Sequence, residues 1–157
     1  PHKQNKKKTD TKIRIEMVEA AIRDNDKLVL STFEANDNSV IYTHQTLDYF
    51  KNKYPEHEFY YIMGEDSFMT IDSWRNYEKI LNDNLVVFAR TSIEEDSDLV
   101  KKVDLIKKDN SKIFLLDNLN INISSTLIRE LVKENKSIKY LVTEPVKEII
   151  EEYHLYV

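Results

Sequence analysis

With 157 residues, 41% of them hydrophobic and 10% aromatic, the chain can bury one sizeable core and reads as a single domain over 1–157. No apolar run approaches the roughly 20 residues of a membrane span, no secretory leader pattern opens the sequence and there is no cysteine. The expectation is a cytoplasmic protein with no membrane partner, no disulfide and no thiolate metal site. Net charge is −5, but Lys3, Lys6, Lys7, Lys8, Lys12 and Arg14 against Asp10 give the stretch from Pro1 to Arg14 a charge of +5 and leave −10 for the rest. Such a basic end suits a polyanion. Without interleaved aromatics to stack bases, a small polyanionic ligand fits better than nucleic acid, and a solvated lysine loop is the plain alternative.

In chain order, Asp10 or Thr11 can cap a first helix in which Ile15, Val18 and Ile22 share a face and which ends before Asn25-Asp26. The short apolar run Leu28-Val29-Leu30 follows as a strand. A second helix starts near Thr43, carries Leu47, Phe50 and Tyr54 on one face and is closed by Pro55. Phe59 to Met63, Leu85 to Ala89 and Ile113 to Leu116 are short apolar runs that read as buried strands. Between the last two, Val100, Val103, Leu105 and Ile106 predict a helix running to Lys108. After Ser124 the chain is expected to be helical almost to its end, with Pro145 suited to a first helical turn. Alternation of this kind predicts an α/β fold with a mostly parallel sheet covered by helices on both faces.

Three places draw attention as candidate sites. Gly64 is the only glycine, where average usage of ~7% would give about eleven, and it stands at the carboxyl end of a predicted strand. Ligands of open α/β sheets bind outside such ends, where a glycine permits close backbone approach or positive φ; a tight turn is the alternative. Trp74, the sole tryptophan, follows Asp72-Ser73 at an expected polar helix start, and by itself would read as core packing. Ser124, Ser125 and Thr126 open a helix with Arg129 one turn further in. Unpaired N–H groups, small hydroxyls and a planar guanidinium there can cradle a phosphate, or they can simply cap a surface helix. His44 and His57 are expected to be exposed, and with no acidic pair at convincing spacing beside them no metal site is assigned.

Taken together, Val40-Ile41-Tyr42-Thr43-His44-Gln45-Thr46-Leu47, Ile62-Met63-Gly64-Glu65-Asp66-Ser67, Ser73-Trp74 with Tyr77-Glu78, Ile123-Ser124-Ser125-Thr126-Leu127-Ile128-Arg129 and Ile138-Lys139-Tyr140-Leu141-Val142 occur in an order that resembles bacterial nicotinate mononucleotide adenylyltransferases from Pro1 to Tyr156. The resemblance implies a Rossmann-like, doubly wound sheet. It also implies that Gly64 and Asp66 lie against the bound nucleotides, with Asp66 accepting from sugar hydroxyls. Glu65 departs from the uncharged residue often found in that motif. Trp74 would stack on the pyridine ring, the Arg75 backbone N–H would meet the nicotinate carboxylate, and Thr43 would lie beside the same group while Thr46 stabilises the helix start. Lys3, Ser124, Ser125, Thr126 and Arg129 would bind the ATP phosphates, with Mg²⁺ carried by the triphosphate.

Members of the family open with a strand and a Gly-rich turn leading to a His-x-G-H motif, whose histidines stabilise the charge of transfer. The histidines here are His2, His44, His57 and His154, and none forms that motif. Pro1-His2-Lys3 resembles the loop after the family's second strand, so the resemblance implies a truncated nucleotidyltransferase domain without its first two strands, inactive alone, with its catalytic residues upstream of residue 1. The implied reaction is attack of the nicotinate mononucleotide phosphate on the α-phosphorus of ATP, giving nicotinate adenine dinucleotide and pyrophosphate in NAD biosynthesis. Recognition by N–H donors favours the acid over the amide, because a carboxylate only accepts hydrogen bonds. An adenylyltransferase for nicotinamide mononucleotide or a pantetheine phosphate, or a nucleotide-binding fragment without turnover, remain the alternatives, and a homo-oligomer is left open.

Overall fold

The computed structural model describes residues 9–35, 40–90, 93–94, 97–107, 112–117 and 123–157. Lys3 and the lysines at 6–8 lie outside them. The chain divides into two compact units, 41–121 and the pair of segments 1–40 with 122–157.

The first of these is an α/β layer. Helix α2 (Thr43–Lys53) leads to strand β1 (Tyr60–Gly64), then α3 (Glu65–Met69), a 3₁₀ turn (Ile71–Ser73), α4 (Tyr77–Ile80), β2 (Asn84–Phe88), α5 (Asp98–Ile106) and β3 (Lys112–Leu116). All three strands are parallel in the order β1-β2-β3, with Tyr61 opposite Leu85 and Leu85 opposite Ile113. Alternation along each strand sends Tyr61, Met63, Leu85, Val87, Ile113 and Leu115 to one face, where they pack with Leu47, Phe68, Ile71, Ile80, Leu99 and Val103. The core of this unit therefore lies on the helix side of the sheet. The opposite face carries Tyr60, Ile62, Phe114 and Leu116, all more than two-fifths exposed. Asn84, buried at the start of β2, satisfies its amide by donating to the Phe59 carbonyl at 2.9 Å and to Glu58 Oε1 at 3.2 Å.

The second unit is helical. Helix α1 (Thr11–Ile22) is capped by Asp10, whose carboxylate accepts from the Lys12 N–H at 2.7 Å. It packs on α7 (Glu144–Glu152), which follows α6 (Ser125–Lys133). Ile128, Ile138 and Ile150 centre its core, with Met17, Leu131, Val146 and Leu155 against them. Both α6 and α7 end on a left-handed residue, Asn135 at φ 54° and His154 at φ 47°, and each is followed by a backbone N–H that reaches back to close the helix: Lys136 to the Leu131 carbonyl and Leu155 to that of Ile150. In a chain with one glycine, Asn and His occupy the positions where glycine is the usual choice.

Two expectations are corrected. Leu28–Leu30 is not a strand: Val29 is 89% exposed, and no neighbouring strand among the described residues gives the run a ladder to join. The helical stretch after Ser124 is two helices, interrupted at 134–143 because Asn135 turns the backbone left-handed, as Tyr140 does again at φ 69°. Among the described residues no helix is long and apolar enough to cross a membrane.

Candidate functional site

Gly64 closes β1 and stands at the N-cap of α3 with φ −82° and ψ 160°, extended backbone open to any residue. The positive-φ reading of this glycine is thus set aside. A Cβ built there would meet nothing within 4 Å, so neither conformation nor internal packing demands the chain's single glycine. What remains is open space at a strand's carboxyl end. Asp66 is the second residue of α3. Its carboxylate pairs with the Arg90 guanidinium, while Glu65 Oε2 accepts from the Arg90 backbone N–H at 2.8 Å. Arg90 follows Ala89 just past the carboxyl end of β2, beside the end of β1, and explains the tolerated charge of Glu65: one cation and its N–H answer two carboxylates. Sequence reasoning missed Arg90, although the strand-end argument that singled out Gly64 applies to it equally.

The second cluster joins the start of α2 to the turn after the 3₁₀ element. Trp74 ends that turn rather than opening a helix: its N–H donates to the Ile71 carbonyl at 2.9 Å and its carbonyl accepts from Tyr77 at 3.2 Å. It is half-buried, with part of its surface on the main core and the rest uncovered. Arg75 is exposed, and its guanidinium lies 4.9 Å from the centroid of the Tyr42 ring. Asn76 is left-handed at φ 55°. Thr43, half-buried, is the first residue of α2, after Tyr42 at the N-cap, whose N–H is held by Gln45 Oε1 at 2.9 Å. The N–H groups of Thr43 and His44 belong to the first turn and so have no partner within the helix. The structure thereby brings Thr43 and the Trp74–Arg75 pair into one neighbourhood.

His44 overturns the expectation of an exposed histidine. It is buried, 8% exposed, because it shares a face of α2 with Leu47 three residues on. Its ring stacks on Tyr42 at 6.2 Å between centroids, and Nε2 lies 3.0 Å from Asn76 Nδ2. An amide nitrogen only donates, so Nε2 accepts and the ring hydrogen sits on Nδ1. That Nδ1 is buried without a hydrogen-bond partner, and an unmet buried donor costs about 1–3 kcal/mol. The i, i+3 spacing with Leu47 was the available signal. His57 is exposed as expected.

In the helical unit, Ser124 caps α6, its hydroxyl accepting from the Leu127 N–H at 3.1 Å. Ser125 and Thr126 are exposed in the first turn. Arg129 turns back along the helix to donate from Nη2 to Thr126 Oγ1 at 3.3 Å, with no carboxylate paired to it among the described residues. The capping reading holds for Ser124, and it occupies one hydroxyl of the three. No group of three His, Asp or Glu among the described residues is placed to hold a metal ion.

The cytidylyltransferase-like family matches residues 1–131. The probable nicotinate-nucleotide adenylyltransferase of Clostridium novyi is 38% identical over 157 residues, covering 99% of this chain and 78% of that protein. The corresponding protein of Clostridium perfringens strain 13 is also 38% identical, with the same coverage. The chain belongs to the nicotinate-nucleotide adenylyltransferase family. It is a nucleotidyltransferase. Plasmodium falciparum nicotinic acid mononucleotide adenylyltransferase, solved complexed with NaAD, superposes with a TM-score of 0.74 at 22% identity over 98% of this chain and 78% of its own. Its complex with APC gives 0.72 at 22% identity over 94% and 76%. Both likenesses bear on the Rossmann-like α/β fold.

Proposed function

We propose that the chain binds nicotinate mononucleotide and ATP for adenylyl transfer, with the pyridine moiety taken by the cluster of Thr43, Trp74 and Arg75. The observation that carries this reading is the meeting of the first turn of α2 with the Trp74–Asn76 turn, made by Arg75 over Tyr42 and by the His44–Asn76 hydrogen bond. A half-covered indole offers a stacking surface, and the first-turn N–H groups of α2, without partners inside the helix, suit a carboxylate. An amide in that place would set its own N–H₂ against donors.

In the α/β unit, Gly64 and Asp66 are assigned to ATP; in the helical unit, Ser124, Ser125, Thr126 and Arg129 are assigned by themselves as a phosphate-binding helix start. Gly64 supports close approach because nothing of the protein occupies the space a side chain would take. Arg129 and the first turn of α6 supply charge and N–H donors to phosphate oxygens. In the transfer, an oxygen of the mononucleotide phosphate forms a bond to the α-phosphorus, the α–β bridging bond breaks, and pyrophosphate leaves with that electron pair. No covalent enzyme intermediate is needed. The part of these residues is to align two polyanions and offset their repulsion. Mg²⁺ is proposed to enter bound to the triphosphate, and the compartment to be the cytoplasm.

The test is the emission of Trp74, the chain's one tryptophan. Nicotinate mononucleotide should quench it at saturation, and nicotinamide mononucleotide only at much higher concentration. Equal quenching by both, or none by the acid, would sink the reading.

A further inference from the structure

We infer that the His44–Asn76 pair is a positioning latch that sets the preference for an anionic pyridine substrate by holding the Trp74–Asn76 turn against the start of α2. The inference rests on the mononucleotide site proposed above. Three contacts and one covalent step form a closed ring next to that site: Arg75 over Tyr42, Tyr42 on His44, His44 to Asn76, and the peptide link from Asn76 back to Arg75. Arg75, directly after Trp74, stands in the turn that these contacts tie to the start of α2.

Two features separate a latch from ordinary packing. Asn76 is left-handed, a conformation that Asn tolerates better than most residues, and its amide anchors the turn that carries Trp74 and Arg75 to α2. His44 leaves Nδ1 buried and unpaired. An apolar residue of similar size would fill the same place beside Leu47 without stranding a donor, so stability by itself does not call for histidine. What histidine contributes is the Nε2 acceptor that fixes the Asn76 amide.

The experiment compares His44→Leu, His44→Gln and Asn76→Gly with the unsubstituted chain. Trp74 emission gives the dissociation constants for nicotinate and nicotinamide mononucleotide, calorimetry gives that for ATP, and thermal melts report folding. His44→Leu should weaken binding of the acid at least five-fold, change that of the amide less than two-fold, leave ATP unaffected and keep or raise the melting temperature. Asn76→Gly, which adopts the left-handed backbone without strain but lacks the amide, should reproduce the loss for the acid. His44→Gln, whose carbonyl can accept from Asn76, should restore most of the preference. An unchanged acid-to-amide ratio in His44→Leu, or parallel losses of acid binding and melting temperature in all three variants, would overturn the latch and leave the site standing. A chain whose Trp74 ignores nicotinate mononucleotide before any substitution would overturn both.

Discussion

Gly64→Ala separates what the fold needs from what a ligand needs. At φ −82° and ψ 160° the backbone suits alanine, and a Cβ meets nothing within 4 Å. Two small effects then oppose each other. Restricting the unfolded chain stabilises by about 0.4–1 kcal/mol. Alanine is a poorer N-cap than glycine, and that costs roughly 0.5–1 kcal/mol at the start of α3. The balance lies within about 0.5 kcal/mol of zero, which for a domain of this size moves the melting temperature by no more than about 2 °C. If ATP lies against this strand end, an added methyl group overpacks the contact by about 1–3 kcal/mol. The ATP dissociation constant should therefore rise roughly 5- to 150-fold. Calorimetric titration with Mg²⁺–ATP, paired with a thermal melt, reads both quantities on one preparation. Unaltered melting together with less than a two-fold change in ATP affinity would show that the open space at Gly64 is empty in use, and would refute the argument from the single glycine.

Trp74→Ala should weaken nicotinate mononucleotide by on the order of 1–3 kcal/mol through lost stacking, measured by calorimetry, and should also lower the melting temperature because part of the indole packs on the core. Arg129→Lys keeps the charge but loses the planar fork, so ATP affinity should fall with thermal stability nearly unchanged; a large drop in melting temperature with unaltered ATP binding would make Arg129 structural. The Lys102 ammonium, 2.8 Å from Asp72, holds that carboxyl below its ordinary value of 3.8. A depressed carboxyl stabilises the fold above the ordinary value, and loses that contribution as pH falls through the lowered one. The melting-temperature gap between the unsubstituted chain and Lys102→Met should thus hold from pH 7 to about pH 5 and close below about pH 4. A gap that persists undiminished at about pH 2.5 would assign it to the packed lysine stem instead.

The strands were legible because each is a short apolar run, and the three expected at Phe59, Leu85 and Ile113 form the sheet within a residue or two of their expected bounds, although burial on both faces is not met: Tyr60, Ile62, Phe114 and Leu116 stay exposed on one side. Leu28–Leu30 has the same composition and no ladder, since apolarity marks a segment for burial but pairing depends on a neighbour the sequence does not display. The short helices α3 and α4 were missed because five and four residues give too little period to read. Of the candidate site, Trp74 and Thr43 were reached through motif order, and their proximity through distant segments is visible only in three dimensions. Arg90 and Asn76 escaped for a different reason: a lone cation after a strand and an asparagine in a turn look like solvated surface until their partners are known. The burial of His44 was available in the helical spacing to Leu47 but was outweighed by its polar character.

Displacement by the proposed product is the most direct test of the central claim, that one chain holds a nicotinate-bearing nucleotide at Trp74 and an adenylyl donor beside it in the course of transfer. Nicotinate adenine dinucleotide should quench Trp74 emission at one site per chain, compete with nicotinate mononucleotide, and lose apparent affinity as Mg²⁺–ATP is added, while ATP leaves mononucleotide binding undiminished. Dinucleotide that binds without touching Trp74 emission, or ATP and mononucleotide that exclude one another, would contradict it.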